Sequence, residues 1–194
     1  MRIATPFIAC ALAATLGGCF TVGTPFNSAA PDQLRLGQTT SNQVIALVGP
    51  ATNATTPTVN GVTLQCLDYD SYKAGGTAQG KGLLGRSASY CFLDNVLVAY
   101  VVSSNIDAES SDFDVQKALT VTRGMTRAQV VDLLGKPAGA AVYPFVNAGG
   151  TEVRYSYTDY TGTFSTKRTT AKDAYFEFDG NDIVVDARVQ VKER

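Results

Sequence analysis

The chain has 194 residues, with 16 Lys and Arg against 17 Asp and Glu, and neither His nor Trp. So even a balance offers no basic surface to follow a phosphate backbone, which argues against a nucleic-acid partner. The lack of His removes the commonest general base, the Ser-His-Asp and Cys-His arrangements and most zinc sites. Carboxylate pairs, Ser-Lys pairs and oxygen-ligated calcium stay open. The composition therefore disfavours an enzyme, and the expectation is a non-catalytic protein without a cofactor.

Residues 1–18 read as a signal. Arg2 is a short positive start, and Ile3 to Gly18 carry no charge. Such a segment inserts in a membrane but is too short to span one stably. It ends in Leu16-Gly17-Gly18-Cys19, which resembles a bacterial lipoprotein signal cut before Cys19. The alternative is an ordinary secretory signal, cut at small residues such as Ala11-Leu12-Ala13 or Ser28-Ala29-Ala30. The lipoprotein resemblance implies two or three acyl chains at Cys19, enough for stable attachment. Because Phe20 and not Asp follows Cys19, it also implies the outer membrane, on its periplasmic face. Residues 19–31 read as a polar tether; its stretch after Cys19 reaches roughly 40 Å when extended.

Beyond the tether the chain repeats itself. Thr40-Ser41-Asn42-Gln43-Val44, running to Leu47-Val48-Gly49-Pro50, matches Thr126-Arg127-Ala128-Gln129-Val130, running to Leu133-Leu134-Gly135-Lys136-Pro137, 86 positions on. In each, a Thr with Gln three residues later predicts a capping box. Val44, Leu47 and Val48, like Val130, Leu133 and Leu134, share one helix face. Gly49 and Gly135 are stops. A further short helix is expected before each, near Asp32–Gly37 and Val115–Leu119. Helices this short need a sheet to cover.

The sheets follow. Val153, Tyr155 and Tyr157 alternate with polar neighbours, as do Phe176 and Phe178, and then Ile183, Val185, Ala187, Val189 and Val191 beyond a turn at 179–182. This is an antiparallel pattern with one wet face. In the first copy, Thr63–Tyr72, Ser89–Leu93 and Val96–Val102 take the same places, at an offset that drifts to 88 in the first of them. Val96–Val102 is apolar without alternation. Such a strand is central, packed against the other copy, or it meets a partner on its second face.

Cys10 leaves with the signal and Cys19 takes lipid. Cys66 and Cys91 remain as a pair in an oxidising compartment, so a disulfide is expected; two free thiols or a two-ligand metal site are the alternatives. The bridge closes a loop of about 25 residues and contributes roughly 3 kcal/mol. The drifting alignment, however, sets Cys66 against Arg154 on the wet face and Cys91 against Phe176 on the core face. Either a bulge intervenes or the register is off by one.

Four other patterns have weaker readings. Gly75-Gly76-Thr77-Ala78-Gln79-Gly80-Lys81-Gly82 nearly matches a phosphate loop, but Gly82 replaces the Ser or Thr and no helix follows, so a hairpin loop fits better. The acidic run Asp107–Asp114 lacks EF-hand spacing and reads as a linker. Asp68, Asp70 and Asp159 have no evident reason to converge as acids. Tyr160, Phe164 and Arg168 form an aromatic and basic loop region. It is either merely solvated or a contact for a partner protein or lipid headgroup.

The run Arg123-Gly124-Met125-Thr126, with Gln129-Val130, Leu133-Leu134-Gly135 and Pro137, resembles the BamE/SmpA-OmlA family of outer-membrane lipoproteins. The doubling is similar to the beta-lactamase inhibitor proteins, secreted inhibitors built from two related units. These resemblances imply an α+β fold. Residues 32–104 and 105–194 would be tandem units, each with two short helices on a small antiparallel sheet of about three strands. They imply a scaffold or assembly accessory that works by contact with an outer-membrane or periplasmic protein, or alternatively a protein inhibitor of an enzyme.

Overall fold

The computed structural model describes residues 21–23, 25–27, 33–74, 82–161 and 168–193. The signal, Cys19 and most of the 75–82 loop lie outside them. The strands are β1 (Thr21–Gly23), β2 (Asn53–Thr55), β3 (Thr58–Val59), β4 (Val62–Thr63), β5 (Gln65–Ala74), β6 (Leu83–Leu93), β7 (Val96–Ser104), β8 (Gly139–Ala141), β9 (Thr151–Thr161), β10 (Arg168–Phe178) and β11 (Val184–Glu193). The helices are α1 (Ser41–Val48), α2 (Val115–Ala118) and α3 (Arg127–Leu134).

This arrangement overturns the expected fold class. The protein is mostly β, with one nine-stranded sheet ordered β1-β5-β6-β7-β8-β9-β10-β11, and β2 also pairs with β5. The two halves do not each fold on a separate small sheet. The cause is β8, whose three small residues pair with Ala99–Val101 of β7 on one side and Glu152–Arg154 of β9 on the other. A Cβ at Gly139 would sit 2.2 Å from the Tyr100 carbonyl oxygen, so only glycine lets β8 come this close. The apolar strand β7 is thereby an interior strand. Among the described residues, the stretch expected as a helix at Asp32–Gly37 holds only a 3₁₀ position at Gln33 and a turn at Leu36–Gln38, with Gly37 at φ +75°.

Within the shared sheet the duplication is plain. Thr40 and Thr126 cap α1 and α3 in complete capping boxes with Gln43 and Gln129. Tyr69 donates its hydroxyl to the Gly49 carbonyl at 3.0 Å, and Tyr155 to that of Gly135 at 2.9 Å. The bulges fall between Cys91 and Phe92 and between Glu177 and Phe178. Each of these correspondences has an offset of 86, so the drift expected from the sequence does not occur. Cys66 matches Glu152 and Cys91 matches Glu177, both away from the helices. The two cysteines are direct cross-strand partners on β5 and β6 and form a disulfide. The register inferred for Cys91 was off by one.

Each half buries its core under its helices. Val44, Val48, Tyr69, Tyr90, Phe92 and Leu97 pack in the first, with Phe26 from the segment before α1. Val130, Val153, Tyr155, Phe176, Phe178 and Val184 pack in the second. A smaller cluster around the disulfide, Leu64, Val98, Ala99 and Ala141, lies on the other face.

Candidate functional site

Among the described residues, α1, α2 and α3 all cover the same face of the sheet, and the opposite face carries no α-helix. Strand alternation decides what that face carries. Because Tyr69, Tyr90 and Tyr155 point to the helices, Asp68, Asp70, Ser87, Ser89, Ser103, Ser156 and Thr158 point away from them. These residues, with Val101, line a cavity of about 320 Å³ near the middle of the sheet. Its lining holds two carboxylates and neither Lys nor Arg.

Both ends of this trough are closed. At one end the rings of Tyr72 on β5 and Tyr160 on β9 meet edge to face, with centroids 5.2 Å apart. They lie over Gly85, where a Cβ would be 2.6 Å from Tyr72 and 2.9 Å from Tyr160. At the other end stand the Cys66–Cys91 bridge, the short β3–β4 hairpin and Phe145. Asn60 on that hairpin donates to the Pro144 carbonyl at 2.8 Å.

The polar groups of the trough are only partly satisfied. Asp68 accepts from Ser89 at 2.7 Å and from Thr55 at 2.9 Å. Asp70 accepts from the Tyr72 hydroxyl at 3.1 Å. Burial holds the Tyr72 hydroxyl protonated well above the ordinary tyrosine range, helped by Tyr160 and Asp70. Ser156 donates to Asp173 at 2.8 Å. Ser103 is only 6% exposed, and among the described residues its hydroxyl has no hydrogen-bond partner. An unpaired buried hydroxyl is costly, so its persistence calls for a cause.

A second polar cluster lies further along the same face. Glu152 is 2% exposed and accepts from Arg154 at 2.7 Å and from Arg188 at 2.8 Å. The Arg154 guanidinium also sits 4.4 Å from the Phe145 ring centroid. Every charge there has a partner, so the cluster stiffens the sheet and offers little to a ligand.

The residues expected from sequence to contact a partner fall in different places. Tyr160 is buried inside the chain, against Tyr72. Arg168 is exposed at the start of β10. Phe164 lies outside the described residues. Asp68 and Asp70 share the trough, whereas Asp159 is on the helix-bearing face beside Asn105. The acidic run serves structure: Glu109 pairs with Arg86 at 3.3 Å, Asp112 with Lys172, and Asp114 caps α2. The sequence reading did not single out the trough serines, although the alternation in Ser87-Ala88-Ser89 is the pattern of a wet face.

No protein-family model matches the chain, and no curated protein matches it. The BamE resemblance thus stands on its motif residues alone. A solved structure from Streptococcus mutans, a "putative beta-lactamase inhibitor protein", is similar at 15% identity, covering 79% of this chain and 83% of its own, with a TM-score of 0.42.

Proposed function

We propose that this chain is a non-catalytic, lipid-anchored protein on the periplasmic face of the outer membrane, acting by gripping another envelope protein in the helix-free trough. The observation that carries this reading is the trough itself. It is walled at both ends, rigidly framed, lined with hydroxyls and two carboxylates, and holds a buried hydroxyl without a partner. A surface of this sign selects a positive protrusion. The occupant is a Lys or Arg side chain of the partner, reaching past Ser87 and Thr158 toward Asp70 and Ser103. The lipoprotein signal ending at Cys19 supports the anchor, and the disulfide supports an oxidising compartment.

The test is photo-crosslinking in cells from single positions. Crosslinkers at Ser87 and Thr158 should capture one protein, through a peptide carrying Lys or Arg, and Asp70→Asn should weaken the capture. A crosslinker at Gln116 on the helix side is the control. Capture from Gln116 but not from the trough would overturn the reading. If the captured partner is an enzyme whose turnover falls in proportion to added protein, the same trough serves an inhibitor and not an assembly accessory.

A further inference from the structure

β11 closes the sheet at one side. It pairs with β10, and among the described residues no strand lies along its outer edge. The repeat shows what such an edge can hold. β11 stands where β7 stands in the first half, since Phe176 faces Ala187 as Tyr90 faces Tyr100. The outer edge of β7 takes β8 as an antiparallel strand. There the Val102 amide donates to the Ala138 carbonyl and the Val142 amide to the Val98 carbonyl, both at 2.9 Å. Val98, Tyr100 and Val102 thus turn their backbone groups outward, and alternation gives Ala187, Val189 and Val191 the same role on β11. The start of β11 is already covered, because Val184 exchanges backbone hydrogen bonds with Gly124 and Met125. Val185 is the extra residue of the bulge, so the regular open edge begins at Asp186.

The side chains of this edge form two rows. Ala187, Val189 and Val191 make an apolar row on the helix side, with Val189 packed on the core of its half and Val191 51% exposed. Asp186, Arg188, Gln190 and Lys192 make a polar row on the other face. Antiparallel partners share a face, so a strand meets its own copy only about an axis that passes through one residue. An axis at Arg188 sets Arg188 against itself. An axis at Gln190 sets Arg188 against Lys192. An axis at Ala187 carries Gln190 of the second strand to Val184, where Gly124 and Met125 already lie. An axis at Val189 avoids all three faults. It sets Val189 against itself, Ala187 against Val191, Arg188 against Gln190 and Asp186 against Lys192.

We infer that β11 pairs antiparallel with β11 of a second copy of this chain, about a two-fold axis at Val189, joining the two sheets edge to edge. The backbone groups of Ala187, Val189 and Val191 find partners, the apolar rows meet, and Asp186 of each copy faces Lys192 of the other. The opposite edge of the sheet is closed to the same use. β2 stands where β8 stands, since Asn53 faces Asp68 as Gly139 faces Arg154. A Cβ at Gly139 would collide with the neighbouring strand, so Asn53 bars β2 from the approach that β8 makes. β1 fills more of that edge of β5. Copies therefore close as a pair and do not add head to tail. The contact is roughly 24 Å long and small beside a standard interface, so the pair is reversible. Neither the trough nor the lipid is needed for it.

The test traps the pair as a disulfide in the full chain, in cells treated with copper phenanthroline and read on non-reducing gels. The unchanged chain sets the baseline. Across the axis Val189→Cys meets itself at about 5.5 Å between Cα atoms, within reach of a disulfide. Ala187→Cys and Val191→Cys each lie roughly 13 Å from their own copy, beyond reach. Dimer at 189 is expected at least ten-fold above that at 187 or 191 alone. Chains with Ala187→Cys and Val191→Cys, expressed together, should crosslink to one another, which keeps the test decisive if Val189→Cys folds poorly. Asp186→Lys should cut either crosslink at least three-fold, and adding Lys192→Asp should restore it. No dimer above baseline from either arrangement, equal dimer at 187, 189 and 191 alone, or a crosslink from 189 only to a different protein would overturn the pairing. A double reversal no better than Asp186→Lys would overturn the register and the inference with it.

Discussion

The two halves of the sheet share a frame and differ in how each secures the face that has no helices. In the first half, the position one strand step from the core carries Cys66 and Cys91, bonded directly across β5 and β6. In the second half, the same position carries Glu152 and Glu177, cross-strand partners on β9 and β10. There Glu152 is clamped by Arg154 and Arg188. On the helix side the halves agree almost residue for residue: Val44 with Val130, Tyr69 with Tyr155, Phe92 with Phe178. The difference teaches that packing under the helices defines the repeat, whereas the outer face is free to diverge. The first half uses that freedom for a covalent staple beside a cavity, and the second for an ion network.

The largest effect should come from the shared core. Phe176→Ala should destabilise the protein by about 3–5 kcal/mol, read from the urea midpoint. Because the sheet is continuous, both halves should unfold together. Loss of the second half at a lower urea concentration than the first would separate them.

Next in size are the two outer-face devices. Replacing both Cys66 and Cys91 by Ala should cost roughly 3 kcal/mol through the freed loop. Glu152→Gln should cost roughly 1–3 kcal/mol, because it leaves Arg154 without its carboxylate in a nearly buried site. A neutral Glu152→Gln would show that the ion network is not the counterpart of the staple.

The tyrosines titrate the two cores together. Burial pushes Tyr155 and Tyr157 up to about 12, and raises Tyr69 and Tyr90 in the first half. A folded-state value above the ordinary one near 10 means that the native state holds its proton more tightly. The stability this contributes is present in full below pH 10 and is lost as pH rises through about 12. Urea midpoints and phenolate absorbance, followed from pH 9 upward, should fall and rise together.

The smallest effect is a gain. Tyr90 occupies the place of Phe176, and its buried hydroxyl has no partner among the described residues. Tyr90→Phe, which copies the second half's solution, should stabilise by about 1 kcal/mol. A loss of that size would mean that the hydroxyl is satisfied.

The sequence made much of this frame legible and left its joints hidden. Thr40 with Gln43 and Thr126 with Gln129 announced α1 and α3, because a capping box is chemistry local to four residues. Alternation from Val153 to Tyr157 announced β9, and two cysteines in an oxidising setting announced the bridge. β8 had no signal: Gly139-Ala140-Ala141 is too short and too small to show a period, yet it joins the halves into one sheet. Tyr160 misled for a related reason. Its even position places it on the wet face of its own half, and only the neighbouring half, through Tyr72 and Gly85, buries it there. The trough was hidden likewise, since Ser103 and Ser156 come from halves read as separate.

The account depends on β8 binding the two halves into one sheet, and amide hydrogen exchange tests that most directly. The Val142 amide donates to the Val98 carbonyl at 2.9 Å, and the Val102 amide to Ala138 at 2.9 Å. Both should exchange as slowly as the amides in the β5–β6 and β9–β10 ladders, through global unfolding. Exchange at Val102 and Val142 a hundred-fold or more faster, with both ladders still protected, would show two sheets side by side and contradict the account.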